Sequence, residues 1–112
     1  MIDYKYSPDG WVLVKIGGTD PHYRVFGSWA GGYLDGDSWR LNSGITEVLE
    51  DDEFYYFKGS TGSVYRCFKE AYGRLTGYNW SVLKGLEERA TDTFIALREK
   101  PKDVMKMDWI LS

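Results

Sequence analysis

Few residues of this 112-residue chain could carry out acid–base or covalent chemistry. It has one cysteine, Cys67, and one histidine, His22. Thiolate catalysis needs the two side by side, because an adjacent base must activate the thiol. Nothing in their spacing brings them together. Cys67 also falls mid-strand in Val64-Tyr65-Arg66-Cys67-Phe68, where a buried, inert thiol is the expectation. A zinc site needs several Cys or His ligands, which this composition cannot supply. Asp35-Gly36-Asp37 begins like a calcium loop, but Trp39 stands at the fifth ligand position and Arg40 where the turn glycine belongs. These aspartates read as turn formers, with a general base at Asp35 or Asp37 as the weakest alternative. Gly59-Ser60-Thr61-Gly62-Ser63 shares only composition with a phosphate-cradling loop, since a strand follows it instead of Gly-Lys-Ser/Thr and a helix. It reads as a hairpin turn.

The remaining chemistry is that of recognition. Trp, Tyr and Phe make up 17% of the chain, more than a core of this size can absorb, so several aromatics are expected at the surface. The stretch Trp29–Asn42 gathers Trp29, Tyr33, Trp39 and Arg40 with Asp35, Asp37, Ser38 and Asn42 among glycines. Aromatics stack, a guanidinium presents a planar fork, and the small polar groups add direction. Such a mixture suits a protein interface and also suits a nucleotide base. The competing structural reading makes Trp29 and Trp39 core anchors and pairs Arg40 with Asp35 or Asp37. It is favoured for Trp29 and stays open for Tyr33, Trp39 and Arg40. Glu50-Asp51-Asp52-Glu53 reads first as a solvated hairpin tip, and second as an acidic contact surface through Asp51, Asp52 and Glu53.

These residues must be positioned by a small set of elements. Trp11–Ile16 is apolar on both faces except at Lys15, the pattern of an interior strand. Tyr23–Trp29 alternates, with Tyr23, Val25 and Trp29 on one face and Arg24, Phe26 and Ser28 on the other; the two strands should form an antiparallel hairpin. Residues 30–44 read as an irregular loop with a short strand at Ser38–Leu41. Ile45–Leu49, Phe54–Lys58 and Ser63–Phe68 read as a meander. Val82, Leu83, Leu86 and Ala90 share one helical face, with Asn79 as the expected cap. Thr93–Glu99 reads as a strand stopped before Pro101, and the apolar tail from Asp103 to Leu111 should dock as a short helix or an edge strand. The whole is expected to be a single α+β domain over 1–112: a mainly antiparallel sheet of about six strands, one principal helix packed on it, and a short C-terminal segment.

Composition narrows the setting. The first half of the chain is acidic and the second basic, with a net charge of −3, which argues against sequence-blind DNA binding. No apolar run approaches a membrane span or a signal peptide, so the expected compartment is the cytoplasm. No cofactor is called for.

Trp11–Ile16, Tyr23–Trp29 with Gly31-Gly32-Tyr33, and Gly36-Asp37-Ser38-Trp39-Arg40-Leu41-Asn42-Ser43-Gly44-Ile45 resemble small accessory proteins of tailed bacteriophages. Gly62–Cys67 and the stretch from Tyr72-Gly73 through Leu83 are similar to the same group, so the resemblance covers about three quarters of the chain. The group has no assigned activity to carry over. What the resemblance implies is a setting, the cytoplasm of an infected bacterium, and a non-enzymatic role in binding a host or host-defence protein. Sequestration of a nucleotide signal is the alternative.

Overall fold

A computed structural model describes residues 2–31 and 36–109. Its strands are β1 (Gly10–Ile16), β2 (His22–Trp29), β3 (Ser38–Leu41), β4 (Ile45–Glu50), β5 (Phe54–Gly59), β6 (Val64–Phe68) and β7 (Phe94–Ala96); helix α1 (Gly77–Arg89) lies between β6 and β7. The class is α+β, and every strand pair is antiparallel. The strands form two sheets, one of order β3-β2-β1-β7 and one of order β4-β5-β6.

The interior position of β1 follows from its two apolar faces. Trp11 and Leu13 pack with Phe57, Tyr65 and Cys67 of the three-stranded sheet, whereas Val12 and Val14 pack with Phe26, Ala96 and Leu83 of α1. The four-stranded sheet is therefore the middle of three layers, and burying each large apolar side chain there is worth about 1.5–3 kcal/mol. β2 shows the alternation its sequence predicts, with Val25 and Trp29 on the sheet side and Phe26 on the helix side. The β5–β6 turn at Gly59–Ser63 is a hairpin turn, closed by Gly62 N–H to Gly59 O at 2.9 Å.

Three local expectations are corrected. Helix α1 starts at Gly77 and is capped by Thr76, whose side chain accepts Asn79 N–H at 3.0 Å. Asn79 is fully buried and donates through Nδ2 to Ser28 Oγ (2.7 Å) and Ser38 O (2.8 Å). Ala90 lies beyond the last helical residue and is exposed, leaving Leu83 as the buried centre of the apolar face. β7 ends at Ala96 because a side chain intrudes on its ladder. Leu97 N–H reaches Leu13 O directly (2.9 Å), but Leu13 N–H goes to the Tyr72 hydroxyl (3.1 Å), which donates to Leu97 O (2.6 Å).

The C-terminal segment docks through a 3-10 turn, Val104–Lys106, with Val104 and Trp109 buried. Trp109 meets Phe57 and Tyr23 edge-on. Among the described residues no helix is long and apolar enough to cross a membrane.

Candidate functional site

Among the described residues, β3 is the outer strand of its sheet and pairs with no strand but β2. Its register pairs Gly27 with Arg40, Ser28 with Trp39 and Trp29 with Ser38. Just past its end, Asn42 N–H donates to Val25 O at 3.0 Å. Hydrogen-bonded pairs recur at every second residue of an antiparallel ladder. Arg40 and Ser38 therefore turn their main-chain groups toward β2, and Trp39 and Leu41 turn theirs toward the open edge.

Successive side chains of a strand leave opposite faces. Trp39 goes to the helix side, stacked on Phe26 (centroids 5.4 Å apart, planes 10° apart), and keeps 39% of its surface exposed. Arg40 goes to the other side, its guanidinium 4.5 Å above the Tyr6 ring. Tyr6 in turn packs against Tyr65 and the edge of Trp29. Glycine opposite Arg40 matters, because a Cβ at Gly27 would come within 3.2 Å of Pro8 and 3.3 Å of Trp29. The strand thus offers an aromatic on one face, a cation on the other, and unpaired main-chain groups between them. An open depression of about 270 Å³ runs along it past Tyr6, Trp29 and Ser38.

The other expected site residues scatter. Tyr33 and Asp35 lie outside the described residues. Asp37 is partly buried beside Gly36, which takes a φ of 68°. Asn42 is only 3% exposed, and its Oδ1 accepts Val25 N–H at 2.8 Å, so it terminates β3 and is not on the surface. Trp29 is partly buried against the inter-sheet core, as an anchor should be.

At the acidic tip, Asp51 is occupied internally. Its carboxylate accepts Glu53 N–H (3.0 Å), Phe54 N–H (2.8 Å) and the Tyr56 hydroxyl (2.6 Å). Those hydrogen bonds, Tyr56 first, hold its pKa below the usual carboxylate value. Glu50 pairs with Lys69 at 2.6 Å. Asp52 and Glu53 remain exposed.

His22 and Cys67 do not meet. Cys67 is fully buried in the inter-sheet core, and burial pushes its thiol well above the ordinary value. Among the described residues, no group of three or more His, Cys, Asp or Glu side chains could hold a metal ion.

Two aromatics beside the candidate site, Tyr6 (partly buried) and Tyr78, escaped the sequence reading. Tyr6 had no periodic signal. Tyr78 is 62% exposed and directly precedes Asn79, which bonds to Ser38 beside Trp39. Its position off the apolar face of α1 was the available clue. Compared with family profiles, curated proteins and solved structures, the chain matches none.

Proposed function

We propose that this chain is a non-enzymatic binding protein of bacteriophage type that engages a host or host-defence protein in the host cytoplasm through the β3 edge. The setting rests on the sequence resemblance. The mode of binding rests on one observation: among the described residues, the outer side of β3 pairs with no strand, and β3 carries Trp39 and Arg40 on opposite faces.

Edges invite unwanted pairing, and proteins usually blunt them. The other three outer strands here are blunted. Along β6, Tyr6 forms a parallel bridge to Tyr65, and Lys5 N–H reaches Val64 O at 2.9 Å. On β7, Glu87 of α1 accepts Ala96 N–H at 2.9 Å. β4 carries Glu47 and Glu50, both exposed. β6 also carries an arginine and aromatics, but its edge is covered; among the described residues, β3 is the uncovered edge that presents an aromatic and an arginine, residue types enriched at interface hot spots. A partner strand can add to such an edge through main-chain hydrogen bonds, with flanking side chains giving specificity.

The nucleotide reading fits this geometry less well. A single base and phosphate would have to reach around the strand to stack on Trp39 and meet Arg40.

Affinity capture from infected cells, followed by binding kinetics with the captured protein, tests the proposal. Folded Trp39→Ala and Arg40→Ala should each weaken binding by about thirtyfold, on the order of 2 kcal/mol. A partner that binds both variants normally, but not an Asp52→Ala/Glu53→Ala variant, would place the interface at the acidic tip instead.

A further inference from the structure

Where the start of β2, the Ser43–Gly44 crossover, the start of β4 and the β5–β6 turn converge, the surface closes into a cleft of about 190 Å³. His22 is fixed at its wall. Nδ1 lies 2.6 Å from Asp20 O, which only an N–H can satisfy, so Nε2 is the acceptor and takes Arg24 Nε–H at 2.9 Å. In this arrangement the imidazole acts as a bracket for the guanidinium. The terminal nitrogens of Arg24 have no hydrogen-bond or ion-pair partner among the described residues. Gly44, at a φ of 121°, keeps the wall in place, since a Cβ there would come within 3.2 Å of His22 Cδ2.

The opposite wall presents acceptors. Ser60 Oγ donates its proton to Ser43 O (3.1 Å), and Thr46 Oγ1 donates to Lys58 O (3.2 Å). Each hydroxyl therefore has only lone pairs left to offer. Among the described residues, Arg24 is the one cation of the Lys/Arg type in the lining and Asp20 the one acid, and they form no ion pair with each other. Ile45, 1% exposed, supplies an apolar floor.

We infer that this cleft is a binding site for a small zwitterion of the free α-amino-acid class. Its carboxylate would take the bidentate fork of Arg24. Its ammonium would meet Asp20 and the oxygens of Ser60 and Thr46. A phosphate matches the first half but meets a carboxylate and spent hydroxyls in the second. The inference stands apart from the β3 edge and does not depend on it.

The experiment follows amide NMR shifts of the whole chain. The probes are pools of free α-amino acids, the same compounds N-acetylated, and inorganic phosphate, each on the order of 10 mM, enough to fill a millimolar site. A free amino acid should shift the amides of His22, Arg24, Ser43 and Gly44, with its acetylated form at least tenfold weaker. Arg24→Met should abolish the response while keeping a dispersed spectrum. If that variant does not fold, Asp20→Asn decides: the preference for the free over the acetylated form should disappear. Phosphate binding as tightly as any amino acid, silence from every pool, or an unchanged response in Arg24→Met or an unchanged preference in Asp20→Asn would each overturn the assignment.

Discussion

The side chain of Asn42 accepts the main-chain N–H of Val25 at 2.8 Å, the bond that the carbonyl of a longer β3 would otherwise accept. That substitution frees the chain to leave one sheet and begin the next within two residues, Ser43 and Gly44. Asn42→Ala would strand a buried N–H and should lower unfolding stability by about 1–3 kcal/mol. Glu88→Ala, on the exposed side of α1, should change it by less than about 0.5 kcal/mol. Urea denaturation of the two variants checks the contrast, and equal midpoints would remove the strand-ending role.

The edge itself can be tested by proline. Leu41 turns its N–H away from β2, so Leu41→Pro removes no internal ladder bond, and proline is tolerated at such positions. Leu41→Ala loses the same packing but keeps the N–H. Once the partner is in hand, Leu41→Pro should bind at least tenfold more weakly than Leu41→Ala at similar melting temperature. Equal affinities would mean that the partner does not add a strand.

Trp39 and Arg40 leave opposite faces of one strand and share no contact, which predicts additivity. The double variant Trp39→Ala/Arg40→Ala should lose the sum of the single losses to within about 0.5 kcal/mol. A coupling above about 1 kcal/mol, measured by a double-mutant cycle, would put both side chains in one pocket of the partner.

Two tyrosines should titrate late. Desolvation pushes Tyr65 and Tyr72 up to about 12. A phenol whose folded pKa lies above its unfolded value of 10.0 stabilises the fold fully below pH 10, and that contribution is lost as pH rises from 10 toward 12. Phenolate absorbance should show these two ionising last, together with alkaline unfolding. Asp51 has the opposite sign. Its folded pKa is depressed below 3.8, so its contribution is present above that value and lost as pH falls through the lower folded pKa. Asp51→Ala should accordingly flatten the acid limb of the stability profile.

Cys67, buried with its thiol pushed upward, should react with a thiol reagent only as fast as the protein opens. Labelling should accelerate sharply in denaturant. Rapid labelling of the native protein would contradict its place in the core.

Much of the fold could be read from residue patterns. A strand apolar on both faces must be interior, and the alternation from Tyr23 to Trp29 placed each side chain on its observed face. The division into two sheets was not legible, because its only local sign is one asparagine side chain standing in for a carbonyl. Thr76 and Asn79 are both good helix caps by residue type. Only the tertiary pull of Ser28 and Ser38 on Asn79 decides between them. The shortening of β7 likewise comes from Tyr72, 25 residues from Leu97. The candidate edge was half legible. Trp39 and Arg40 stood out by type, but treating them as one patch ignored that neighbours in a strand point apart. The cleft beside His22 and Arg24 was not legible, because the rest of its lining comes from Ser43, Thr46 and Ser60, distant in sequence and mute in composition.

The place of β7 also has a consequence in time. β1, β2 and β3 follow one another and pair as neighbours, whereas Val14 must wait for Ala96, near the other end of the chain. Pairings between distant segments form slowly, because a long loop must close before they are rewarded. During synthesis the ribosome releases the β3 edge well before the strand that completes its sheet. The surface proposed for recognition is thus among the first parts of the molecule able to form, and a nascent chain could present it before its own last strand has docked.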